Sequence, residues 1–196
     1  MCGRAERGMK KQQSEPSEVY QLKVTLNGSK PKIWRTILVK PTTPLSKLHR
    51  IIQRTMGWDG GHMHQFEVLG EHYGCADPEW GDPSVQDERK LTLGEIASLQ
   101  VNSFTYEYDF GDDWKHEITI EKTLPAEKKQ KYPLCIAGEL ACPPEDCGGI
   151  WGYYGLLDAI KNPKHAEHEQ MKEWVGEDFD PNHFILEEVN RALSHV

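Results

Sequence analysis

The sequence predicts an α+β fold, a β-grasp-like mixed sheet packed on one helix, with a C-terminal helical extension. Three observations carry this. Apolar residues alternate over residues 20–26, 33–39, 64–68, 104–110 and 114–120, the period of half-buried strands. Between the second and third of these runs, Leu45, Leu48, Ile52 and Met56 recur at helical spacing. Beyond residue 148 the pattern is helical throughout.

Taken in order, residues 1–18 hold no periodic apolar positions and read as a disordered tail. Residues 19–196 read as a single α+β domain, with 19–125 the sheet-plus-helix core and 126–196 the connecting loop and C-terminal helices. Residues 27–31 turn the first strand into the second. Thr43 followed by Pro44 predicts a helix start, with Thr43 as N-cap, and Gly57 predicts its end. Residues 70–90, rich in Gly, Pro and acids, read as an excursion loop, and 91–96 as a short helical turn. Gly111-Asp112-Asp113 makes a hairpin turn between the two clearest strands. In the extension, Ile150, Tyr154, Leu157 and Ile160 predict one helix stripe, stopped at Asn162-Pro163. Met171, Trp174 and Val175 mark a second helix, and a third starts at Asp180-Pro181.

The bulk numbers exclude several classes. No apolar run approaches the ~20 residues of a membrane span, and residues 1–18 lack a signal-peptide stretch. The five cysteines are an odd number scattered along the chain, so they read as reduced thiols or ligands, and the expected address is the cytoplasm. Net charge is −8, yet residues 19–58 hold eight basic groups and no acid. Lys47, Arg50 and Arg54 lie on one helical stripe, and Lys23 and Arg35 are expected to join them along a rim. Such a rim suits an anionic partner or nucleic acid. The simpler expectation is internal neutralisation by Glu173, Glu177, Asp178, Glu187 or Glu188, which disfavours nucleic acid.

Three further phrases stand out: Tyr108-Asp-Phe-Gly-Asp-Asp-Trp-Lys-His116, Ala141-Cys-Pro-Pro-Glu-Asp-Cys-Gly-Gly149, and the helical tail from Gly152-Tyr-Tyr-Gly. With Trp34-Arg35 and Met56-Gly-Trp58 they resemble the plasmid pRiA4b ORF-3-like family. The resemblance implies an α+β fold and, at most, an association with mobile elements. Some family members carry a resolvase-type label, but this sequence shows no Ser-nucleophile and Arg constellation on a doubly wound pattern.

The same phrases hold the candidate chemistry. Cys142 and Cys147, with Cys135, supply thiolates that suit tetrahedral zinc, with His62, His64, His72 or Cys75 as a fourth ligand. The spacing is not that of a zinc ribbon, so no metal and no cofactor is expected. Asp109, Asp112 and Asp113 with Glu145 and Asp146 are a carboxylate set able to hold Mg²⁺ or Mn²⁺ for phosphoester hydrolysis. His116 is in register with Trp114 and Ile118, which makes it either a general base or a core histidine satisfied by one hydrogen bond. Tyr106, Tyr108, Phe110 and Trp114 read as core. Each catalytic set has a simpler structural reading, so the function expected is a binding or accessory module. The sharpest expectation is that Asp112, His116 and the 142–147 loop line one concavity.

Overall fold

A computed structural model describes residues 18–75 and 82–196. The expected tail lies almost wholly outside these residues. Eight strands form one sheet in the order β5-β4-β3-β6-β7-β1-β2-β8. β1 (Glu18–Leu26) and β2 (Trp34–Val39) make the first hairpin, and α1 (Leu45–Met56) crosses to β3 (His64–Val68) and β4 (Glu71–Gly74). β5 (Gln86–Asp87) and a 3₁₀ turn (Glu88–Lys90) precede α2 (Leu93–Ser98), then β6 (Ser103–Tyr108) and β7 (Trp114–Pro125). β8 (Leu134–Glu139) borders β2, followed by α3 (Gly149–Lys161), α4 (His168–Val175) and α5 (Leu186–Leu193).

The α+β class and the helical extension are therefore observed. Every strand pair is antiparallel except β4 with β5, and β1 pairs antiparallel with β7. The finer β-grasp likeness is not confirmed by this arrangement.

The core forms where the apolar face of α1 meets the sheet. Leu45, Leu48, Ile51, Ile52 and Met56 are buried against Leu22, Val24, Ile37, Phe66, Tyr106 and Ile118. Gly57 ends α1 in the left-handed conformation, as the sequence suggests, and its amide reaches Gln53 O. The start of α1 differs. Pro44 is the cap residue, while Thr43 uses its backbone to bond Lys40 and Leu93. The capped helix is instead α2, where Thr92 and Glu95 form a capping box.

Two further expectations need correcting. The excursion loop contains β4 and β5, which extend the sheet beyond β3. Asp180-Pro181 does not open a helix: Pro181 O accepts the Ala141 amide, and α5 starts at Leu186. On α3 the fully buried stripe is Tyr153, Leu156 and Ala159, one step round the helix from the expected one. No helix among the described residues is long and apolar enough to cross a membrane.

Candidate functional site

The two distinctive phrases meet at one end of the sheet. Between β6 and β7, Asp109 takes φ +59° and its Oδ1 accepts the Gly111 amide at 2.9 Å and the Asp112 amide at 3.4 Å. This side-chain turn, characteristic of Asp, fixes the tip of the hairpin. Asp112 Oδ2 then accepts the Gly148 amide at 3.2 Å. Gly149 follows at φ +68°, where a Cβ would stand 2.3 Å from Asp112 O. Only glycine permits that approach.

Three more bonds fasten the 141–149 loop. Trp58 Nε1 donates to Pro143 O at 2.9 Å, the Asp59 amide to Glu145 Oε2 at 3.0 Å, and the Tyr108 hydroxyl to Glu145. Arg35 sets the loop's point of departure. Its guanidinium is buried and donates to Thr55 O, Trp34 O, Glu139 O and Leu140 O, and it lies 4.7 Å over the Phe184 ring.

Beside this junction, between α1, β3 and β4, lies a cleft of about 480 Å³ whose lining includes His49, Gly61, His62, His64, Val85 and Phe110. Two of its histidines are held from behind. His64 Nε2 lies 2.9 Å from Oε2 of the buried Glu88, and the His49 ring stacks on His64 with centroids 3.5 Å apart. His49 Nδ1 bonds the Tyr106 hydroxyl at 2.8 Å, and Gln53 donates to the same oxygen at 2.9 Å. Burial, then the neighbouring His64 and Arg50, push the His49 pKa down to about 3, so its ring is neutral. Burial raises the Tyr106 phenol, which keeps its proton. Among the described residues, His49 Nε2 and His64 Nδ1 take no hydrogen bond. The cleft thus has an oriented polar wall, with the exposed apolar groups of Met63 and Phe110 at its rim.

Residues 18–188 match the model of the plasmid pRiA4b ORF-3-like protein family. The chain belongs to that family. It is 37% identical over 181 residues to the uncharacterized protein y4hQ of Sinorhizobium fredii, covering 92% of this chain and 93% of that protein. The crystal structure of MM3350 from Methanosarcina mazei Go1, a protein of unknown function, superposes with a TM-score of 0.82 at 36% identity. That match covers 89% of this chain and 98% of the other.

In this pRiA4b ORF-3-like chain the expected site residues separate into groups. Asp112, Glu145 and Asp146 come together at the hairpin–loop junction, joined by Asp109 and His62. Asp113 points away and pairs with Lys115 Nζ at 2.7 Å. His116 does not share the concavity. It is fully buried against Trp58 and Tyr106, its Nδ1 bonds Trp114 O at 3.0 Å, and its Nε2 has no hydrogen-bond partner among the described residues. Burial pushes its pKa down to about 4, as for a neutral core imidazole. Phe110 also departs from expectation, being half exposed on the cleft.

Cys135, Cys142 and Cys147 keep their protons. Burial raises Cys135 and Cys142, and pushes Cys147 up to about 12. Cys135 and Cys147 contact carbonyls of their own segments, Ala137 O and Gly149 O. The only group of three or more metal-ligating side chains found close together among the described residues is His62, Asp109 and Asp146, with no cysteine.

The basic rim also changes. Arg35 is interior and Lys23 sits 4.6 Å over the Trp34 ring, while Arg50 and Arg54 remain exposed on α1. None of the acids expected to neutralise Lys47, Arg50 and Arg54 lies within ion-pair distance of them among the described residues. Glu188 instead meets His183 at 2.8 Å. Sequence reasoning missed His49 and Glu88. His49 sits four after Leu45 and three before Ile52, so it flanks the apolar stripe of α1, and that placement is the one signal available.

Proposed function

We propose that this protein is a binding module that takes a small ligand in the histidine-lined cleft. The ligand class has a flat or apolar body to lie against Met63, Val85 and Phe110, and a polar head to bond His49 and His64. The observation that carries the reading is the preorganised pair. Glu88 and Tyr106 fix two stacked imidazoles from behind, which leaves one nitrogen of each for a ligand. Ligand sites have this character: a concave, partly apolar wall with a few convergent polar groups. The hydrolase alternative through Asp112, Asp113, His116, Glu145 and Asp146 has less support, because His116 is sealed in the core and Asp113 faces Lys115.

The test is a titration of the isotopically labelled chain with a library of heteroaromatic fragments, following the imidazole nitrogen signals. Saturable shifts at His49 and His64 are expected. They should vanish in Gly61→Phe, since a Cβ at Gly61 meets nothing within 4 Å and the ring can fill the cleft. Shifts confined to other histidines would contradict the assignment.

A further inference from the structure

We infer that the polar wall of the cleft recognises a cyclic amide, a flat ring that carries a carbonyl beside an N–H, through one donor on His49 and one acceptor on His64. This rests on the cleft reading above and names the chemical class of its ligand. A proton count at the Tyr106 hydroxyl fixes the donor. Tyr106 is fully buried, and the Gln53 amide donates to its oxygen at 2.9 Å. The hydroxyl keeps one proton of its own, and His49 Nδ1, at 2.8 Å, is the acceptor it meets among the described residues. An N–H at that position would aim two donors at one oxygen and leave the buried Tyr106 proton unpaired. Gln53 Oε1 does not take the proton, since it has no hydrogen-bond partner among the described residues. The His49 ring is neutral, so its own proton sits on Nε2.

Glu88 fixes the acceptor. Its buried carboxylate lies 2.9 Å from His64 Nε2. A carboxylate only accepts, so Nε2 carries the proton and, in the neutral ring, Nδ1 is left with a lone pair. Among the described residues, the buried side-chain polar atoms without a partner are Gln53 Oε1, His72 Nδ1, Trp114 Nε1 and His116 Nε2. His49 Nε2 and His64 Nδ1 are outside that set although neither takes a hydrogen bond, so both reach solvent, and both residues line the cleft. Rings stacked with centroids 3.5 Å apart and 6° from parallel put these two nitrogens about 3.5–4.5 Å from each other. A carbonyl oxygen and the neighbouring N–H of a cyclic amide stand slightly closer together, so both bonds can form at ordinary lengths of about 2.7–3.2 Å. A carboxylate brings two acceptors and sets one against the His64 lone pair. An amidinium brings donors alone and sets one against the His49 N–H. Each mismatch forfeits a bond and desolvates a polar group without return.

The experiment uses the full chain with isotopically labelled histidine at about pH 8.5, where an ordinary imidazole is neutral. Before any ligand is added, the nitrogen spectrum should show both His49 and His64 with a protonated Nε2 and a bare Nδ1. A protonated Nδ1 on either ring overturns the inference. Gln53 is the positioning residue, because its amide sends the Tyr106 proton to His49. Gln53→Leu removes that donor together with an oxygen that has no partner among the described residues, and should let the Nδ1–H form of His49 appear. A merely structural role for Gln53 would leave the His49 tautomer as it was, and that result overturns the proton count. Titration then compares 2-pyridone with its isomer 4-pyridone, whose carbonyl and N–H sit at opposite ends of the ring, and with benzoate and benzamidine. The adjacent pair in 2-pyridone should bind about tenfold or more tightly than each of the others. Equal affinity for the two pyridones, with saturable shifts at His49 and His64, defeats this inference and leaves the cleft reading standing. No saturable shift with any of the four or with the wider fragment library defeats the cleft reading, and this inference with it.

Discussion

Replacing Arg35 is predicted to cost more than any surface cation, although the sequence groups it with them. Its side chain makes four bonds of 2.8–3.0 Å to backbone carbonyls and has no carboxylate partner among the described residues. Bonds from a charged donor are each worth about 1.5–3 kcal/mol, so the gross gain is about 6–12 kcal/mol. Several kcal/mol of desolvation oppose this, and the same burial lowers the guanidinium pKa. The net loss for Arg35→Met is about 3–5 kcal/mol. Arg35→Lys keeps the charge but has three donors without a planar fork, and should lose about 2–4 kcal/mol. Urea unfolding at pH 7 measures both, with Arg50→Lys as the exposed control near zero. An Arg35→Lys loss below about 1 kcal/mol would refute the carbonyl clamp, and with it the argument that Arg35 sets where the 141–149 loop departs.

Three other outcomes are expected. His116 and His49 stay neutral in the folded chain, with pKa values near 4 and 3, against about 6.5 when unfolded. The unfolded state therefore binds more protons below pH 6.5, and stability falls as pH drops from there toward those values. His116 contributes about 2 kcal/mol of loss by pH 5 in urea titrations, and His116→Leu should remove that share while the share of His49 remains. Gly149→Ala sets a Cβ 2.3 Å from Asp112 O at positive φ, so about 2–4 kcal/mol is expected by thermal or urea unfolding, against almost nothing for Gly61→Ala. Finally, the free stripe of Lys47, Arg50 and Arg54 is short on a chain of net charge −8, so fluorescence anisotropy with duplex DNA should show no saturable binding at physiological salt. Tight binding weakened by Arg50→Ala and Arg54→Ala would install nucleic acid as the partner.

The long strands and the α1 stripe were legible because a buried face imposes a period on the residues that make it. β4 and β5 were not, since four and two residues are too few to show alternation, and glycines and acids surround them. Asp180-Pro181 misled because an N-cap pattern also suits a turn, and the Pro181 carbonyl is taken by Ala141 rather than by a helix. Half of the site was visible in the phrases 108–116 and 141–149, whose glycines, prolines and acids break periodicity to make the junction. The cleft was not, because it depends on bringing His49 of α1 against His64 of β3, with Glu88 behind, 39 residues along the chain from His49. Pairings of that kind are set by sheet order, which local patterns do not encode.

The most direct test of the binding reading is the imidazole nitrogen spectrum of the protein during fragment titration, in the native chain and in Gly61→Phe. The cleft account predicts saturable, concurrent shifts of His49 and His64 in the native chain, with His116 unmoved, and none in the blocked variant. Shifts at His116, or equal shifts in Gly61→Phe, would contradict it.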